Sequence, residues 1–179
     1  MAGIVLLFLI LVGDIVTGAV SSHTTSTPAT SVKIATVLNA PLISFSTADT
    51  TAFKATNMKG TGIQTTGFGE LVIQGNVAVR NNVASTDGCN IRLLRNNTNI
   101  VPAQGADAFA GDTIVWRATN ILEPIGGDVI SVPVTARDSP LTIGQSYGYY
   151  FAIQEAGGLG TCTFVGNAQA SGQAVFWDA

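Results

Sequence analysis

Charge is what this sequence has least of. Only 11% of its 179 residues are Asp, Glu, Lys or Arg, the net charge is -3 and the pI about 4.8. Its eight Lys and Arg are scattered singly, so no basic stripe exists to neutralise a phosphate backbone and nucleic-acid binding is not expected. Histidine is almost missing too. The one present, His23, falls in a polar stretch near the N-terminus, where a solvated imidazole is the ordinary outcome. A Ser-His-Asp arrangement would need that residue, and a zinc site would need more than one histidine beside two separated cysteines, so the chain is not expected to be an enzyme. The two cysteines, Cys89 and Cys162, either pair in an oxidising compartment or remain free as small hydrophobes, and spacing alone does not choose between them. Helical periodicity of useful length is also absent. What fills the space is 46% hydrophobic residues with abundant Gly, Thr, Ser and Asn, the composition of β structure. The length suits one domain with a short appendage.

The appendage comes first. Residues 3–12, GIVLLFLILV, are uninterrupted apolar sequence, and apolar character continues to Val20, broken by Gly13, Asp14, Thr17 and Gly18. As a helix, residues 3–12 would reach only about 15 Å, roughly half the hydrocarbon thickness of a bilayer. Spanning therefore requires the stretch through Val20, with Asp14 near one interface or meeting a partner group. No Lys or Arg precedes the apolar core, which weakens a secretory reading, although Ala19-Val20-Ser21 offers small residues at cleavage spacing. Residues 1–20 are expected to be a retained anchor or docking arm, with membrane contact through them, a removed signal as the alternative and a core element as the third reading. Residues 21–31, SSHTTSTPATS, bury too little apolar area to be compact and read as a tether. The β domain is expected over residues 32–179.

From Val32 onward the period becomes two. Val32, Ile34, Thr36 and Leu38 alternate with Lys33, Ala35 and Val37, and Pro41 breaks the run before residues 42–45. Residues 46–70 are rich in Thr and Gly, and their GTGIQTTGFGE portion, residues 60–70, reads as a loop or irregular edge strand; no Lys-Ser/Thr follows its glycines and no helix is signalled after it, which excludes a phosphate cradle. Leu71, Ile73, Val77 and Val79 share one face opposite Gln74, Asn76 and Arg80. Cys89, Ile91 and Leu93 repeat the pattern with Asn90 and Arg92 outward, and Ile114, Trp116 and Ala118 share a face. The most regular stretch is 129–153, read as a hairpin: Ile130, Val132, Val134 and Ala136 inward, an Asp138-Ser139-Pro140 turn, then Tyr147, Tyr149, Phe151 and Ile153 inward. Residues 162–165 and 173–177 complete roughly eight to ten strands, a number that suits a two-sheet sandwich better than one sheet with long exposed edges. The last strand is expected to lie centrally. The fold expected is all-β, a two-sheet antiparallel jelly-roll sandwich behind an N-terminal apolar segment. Its core should hold Ile73, Val77, Leu93, Trp116, Val132, Tyr149, Phe151 and Phe164, leaving Phe45, Phe53, Phe68, Phe109 and Phe176 as spare apolar surface for a partner.

Few residues carry a chemical signal. Asn96-Asn97-Thr98 is an N-glycosylation sequon at Asn96 and also an ordinary turn, and the turn is preferred. No cofactor is expected. Asp87, Asp107, Asp112, Asp128 and Asp138 all fall near turns, and a calcium site built from such loop aspartates is the metal reading the sequence allows, without any Asp-x-Asp-x-Asp spacing to support it.

The order of signals over residues 71–177 resembles the jelly-roll heads of the tumour necrosis factor and complement-head type found on many phage and large-virus structural proteins. The segments that carry the resemblance are GNVAVRNN, NIRLLRNNTNI, AGDTIVWRA, VPVTARDSP followed by LTIGQSYGYYFAIQ, and the closing GTCTF and GQAVFW. It is a likeness of pattern, and it implies a non-enzymatic, decorating or binding module that forms a homo-oligomer, a trimer for heads of this type. No functional residue is carried over from it. Where a fibre of this kind would show a collagen-like or coiled shaft, this chain has an apolar segment and a short tether. Two functions follow: a virion structural protein (minor capsid, cement or spike-type) whose partners are other virion proteins, or an exported, extracellular cell-surface filament subunit or adhesin-like module that partners other surface-assembly proteins by strand addition.

Overall fold

The computed structural model describes residues 33–82, 88–122, 127–166 and 172–179. The apolar segment, the tether with His23, Val32, Asp87 and Glu123-Pro124 lie outside the described residues.

Ten strands are described: β1 (Lys33–Asn39), β2 (Phe45–Thr47), β3 (Lys54–Ile63), β4 (Leu71–Asn81), β5 (Gly88–Asn96), β6 (Thr113–Leu122), β7 (Ile130–Asp138), β8 (Tyr147–Glu155), β9 (Cys162–Phe164) and β10 (Gln173–Asp178). All their pairings are antiparallel. One sheet runs β1-β10-β4-β7, with short β9 continuing along β4 beyond the end of β10 and carrying β2 on its far side. The other runs β3-β8-β5-β6. A six-stranded and a four-stranded sheet with these interleaved orders make a jelly roll, and the last strand, β10, lies inside its sheet, between β1 and β4.

Alternation explains most inward faces. β4 turns Leu71, Ile73, Val77 and Val79 into the core and Gln74 and Arg80 out; β7 buries Val132 and Val134 and exposes Ser131, Thr135 and Arg137. Seven of the eight expected core residues are buried, and the eighth, Trp116, is half-buried with its ring edge-on to Phe151 at 6.4 Å. Phe151 in turn meets Phe164 at 6.1 Å, and Tyr149 meets Phe176 at 4.9 Å. These ring pairs cross between the sheets and form the middle of the sandwich.

Four expectations need correction. β7 and β8 do not form a hairpin: β7 pairs with β4 and β8 with β3 and β5, so their apolar faces look at each other across the core. The connection, residues 139–146 with a cis Ser139-Pro140 bond, crosses from one sheet to the other and is tied down by Leu141 N–H to the Gly69 carbonyl at 2.7 Å. Gly69 is needed there, because its φ is +73° and a β-carbon would lie 2.5 Å from the Leu141 carbonyl oxygen. Second, β8 has no wet face. Gly148, Tyr150 and Ala152 are buried on its outer side, under Phe53, Val101 and Ala108 from the loops. Third, β6 carries a register shift at Val115, so Ile114 points outward while Val115, Trp116 and Ala118 pack on the core. A similar shift in β1 turns Ala35 inward and leaves Ile34 half-exposed. Fourth, Phe176 is not spare but fully buried, and Phe45 and Phe53 pack against the two apolar clusters; of the five phenylalanines only Phe68 and Phe109 are exposed. Residues 54–63 form the edge strand β3, with two register shifts, so residues 60–63 fit the irregular-edge-strand reading and residues 64–70 the loop.

Candidate assembly surfaces

The ionisable groups of the described residues are largely committed to holding the sandwich together. Asp138, at the end of β7, is buried and paired with Arg95 on β5, and it accepts a hydrogen bond from Tyr149 Oη at 2.8 Å. This is an ion pair between the two sheets rather than turn chemistry. Burial first, then the neighbouring Asp138 carboxylate, holds the Tyr149 phenol well above its ordinary range, so it remains a donor. Asp112 accepts from Tyr150 Oη at 2.6 Å and from Asn96 Nδ2 at 2.8 Å, while Asp107 pairs with Lys54. Asp178, on β10, accepts from the hydroxyls of Thr65 and Thr66 and from Thr66 N–H at 2.8 Å. Burial works to raise its pKa, but the hydrogen bonds from Thr65, Thr66 and Gly67 outweigh it and leave the carboxyl below its ordinary value. No described buried side-chain oxygen or nitrogen lacks a partner.

The other residues singled out by sequence are placed as follows. Cys89 on β5 and Cys162 on β9 are joined by a disulfide that ties the two sheets together across 73 residues of sequence. Asn96 is the hub of a turn: its Oδ1 accepts from Thr98 N–H, Thr98 Oγ1 and Ile100 N–H, and its Nδ2 is held by Asp112. Asp128 is exposed, and Asp87 lies outside the described residues. Among the described residues no three His, Cys, Asp or Glu side chains gather as metal ligands would.

Surface that is apolar without structural need is found on the β1-β10-β4-β7 sheet. Register places Ile34, Trp177 and Val72 side by side across three strands, with Val37, Val175 and Gln74 in the next row. All six side chains point away from the core, because their neighbours Phe176, Ala174, Ile73 and Leu71 point into it. Five of the six are apolar, where a strand with a wet face would carry polar residues. Arg137, salt-bridged to Glu70, and Thr135 border this block on β7. Exposed apolar residues also lie in the loops: Leu42, Ile43, Phe68, Ile143 and Leu159. Phe68 is 77% exposed although its loop is firmly held, with its own N–H bonded to the Ala179 carbonyl at 2.9 Å.

Sequence reasoning missed the sheet block because it read Phe176 as the spare residue and gave no role to its neighbours. The available signal was the four-residue run AVFW at the chain's end, too continuous for a strand wet on one side. Among the described residues no helix is long and apolar enough to cross a membrane.

No family model matches the chain, and no curated protein does. Among solved structures it is similar to infectious bursal disease virus, Gt strain, with a TM-score of 0.46 and 12% identity over 83% of this chain and 38% of that one. It is also similar to the VP2 subviral particle of the same virus, with a TM-score of 0.47, 12% identity, and coverage of 83% and 37%. A mutant VP2 protein of that virus in derived T=1 particles gives 0.42, 14%, and 83% and 36%. The chain spans less than two-fifths of the length of these structures. They are proteins of a virus particle, and none of the three is a tumour necrosis factor or complement head.

Proposed function

We propose that the chain is a non-enzymatic structural protein of a virion, a jelly-roll subunit that packs against further copies of itself and against other particle proteins, and is attached through residues 1–20. The observation that carries this reading is the outward apolar block of Ile34, Val37, Val72, Val175 and Trp177. It has the composition of an interface centre, apolar with an aromatic, and its surroundings of Gln74, Thr135 and the Arg137–Glu70 pair have that of an interface rim. Two further features support it. Several of the described ionisable residues are spent on structure, as Asp138, Asp112 and Asp178 illustrate. The strand order is one widely used for viral shells, a fold-level analogy only. The assembly proposed is a homo-oligomer, a trimer on the resemblance to jelly-roll heads.

Deleting residues 2–20 tests the attachment. The expected product is a soluble, folded β domain that no longer enters particles or membranes; incorporation equal to that of the full chain would reject the anchor. The mature N-terminus, read by mass spectrometry, separates this reading from an exported surface subunit. An intact Met1 or Ala2 is expected, and a start at Ser21 or Ser22 would favour export.

A further inference from the structure

The outer side of the β3-β8-β5-β6 sheet carries two arginines that no acid neutralises. Arg92 on β5 and Arg117 on β6 stand directly opposite each other and point away from the core. Every other described pairing of an arginine with an acid is accounted for by Arg95 with Asp138 and Arg137 with Glu70; neither Arg92 nor Arg117 makes an ion pair or side-chain hydrogen bond among the described residues. Like charges directly opposite on neighbouring strands destabilise a sheet, so the pair costs the fold stability unless something offsets it. Arg92 is also preset. Its guanidinium carbon lies over the Phe53 ring, 3.8 Å from the centroid, a contact that restrains the group without using its N–H donors. Burial, and then Arg117, both act to lower its pKa, the signature of a cation short of counter-charge.

This guanidinium opens into a cavity of about 360 Å³ between residues 51–53 and the return limb of the β5–β6 loop at residues 107–112. Apolar walls come from Phe53, Leu94, Phe109 and Ile114. Two carboxylates also line it, but Asp107 is engaged by Lys54, and Asp112 by Tyr150 Oη and Asn96 Nδ2. Beside these two carboxylates a dianion meets more repulsion than a monoanion does.

We propose that this cavity binds a small organic monocarboxylate with an apolar body, its carboxylate on the Arg92 guanidinium, opposite which Arg117 stands on β6, and its body against Leu94, Ile114 and Phe109. A planar carboxylate matches the guanidinium fork in two parallel hydrogen bonds. The volume lies in the range of small-ligand sites, which are mostly apolar with a few placed polar groups.

Benzoate is the probe, titrated calorimetrically into the full chain at neutral pH and low salt, beside neutral benzamide and inorganic phosphate. Saturable benzoate binding is expected, with benzamide and phosphate each weaker by about tenfold or more, a difference of about 1.4 kcal/mol per decade. Arg92→Gln should weaken benzoate by a similar factor and Arg117→Gln by several-fold. Arg117 is exposed, so its variant folds even if Arg92→Gln does not. Equal binding of benzamide would show a site that ignores charge, equal binding of phosphate a site that ignores the apolar walls, and either overturns the proposal. So does the absence of saturable benzoate binding, or benzoate affinity unchanged in Arg117→Gln.

Discussion

Phe151 is fully buried where rings from both sheets converge, touching Trp116 on its own sheet and Phe164 on the other. Its replacement by alanine removes a ring that the surrounding strands cannot collapse to fill. Phe151→Ala is expected to cost about 3–5 kcal/mol in urea unfolding; a loss under about 1 kcal/mol would mean the core is looser than the ring contacts imply. Asp138 presents the opposite case, a buried charge whose worth lies in not being left alone. Asp138→Asn strands the Arg95 guanidinium inside the sandwich, and the expected loss is about 3–5 kcal/mol. Replacing Arg95 and Asp138 together with apolar residues of similar volume should recover much of it. A double variant as unstable as the single one would show that the pair's hydrogen bonds to Tyr149 and Thr113 carry the stability instead.

Among the elements, the loop between β3 and β4 depends on one carboxylate. Asp178 gathers Thr65, Thr66 and Gly67 around the end of β10, and these donors keep its folded pKa below the unfolded value. A group depressed on folding contributes stability above its unfolded pKa, about 3.9 for Asp, and that contribution is lost as pH falls through the folded pKa. Urea midpoints measured from pH 7 down to about pH 3 should therefore fall more steeply for the wild type than for Asp178→Asn. Parallel curves would remove Asp178 from the acid response. This loop also shows where sequence reading stops. Alternation told which side chains of β4, β5 and β7 turn inward, because burying one face is a property of the strand itself. It did not tell that β7 and β8 belong to different sheets, because two strands that share a core show the same pattern whether they pair edge to edge or face each other across it. The inserted residue in β1 and the one in β6 reversed the faces of Ile34 and Ile114, since each shifts the period by one without a signal in composition. β8, covered on both sides, needed knowledge of the loop over residues 97–112. Of the outward block only the continuous AVFW run showed in the sequence, and the Arg92–Arg117 pair was illegible, because both are made by cross-strand register.

As a whole molecule the chain combines a dry, aromatic core with ionisable groups used internally and an apolar patch facing outward. A monomer with low charge and such a patch is poorly protected from association, and a subunit with a partner is not. The central claim is that copies of this chain meet through the β1-β10-β4-β7 sheet, with Trp177 and Ile34 in the contact. Ile34 is 49% exposed, so a charge placed there disturbs the fold little while disrupting an apolar contact. Light scattering during size-exclusion chromatography of residues 33–179, at micromolar concentration, measures this most directly. The account predicts a homo-oligomer for the wild type, and a monomer with an unchanged circular dichroism spectrum for Ile34→Glu and Trp177→Glu. A wild-type monomer, or an oligomer that survives both substitutions, would contradict it.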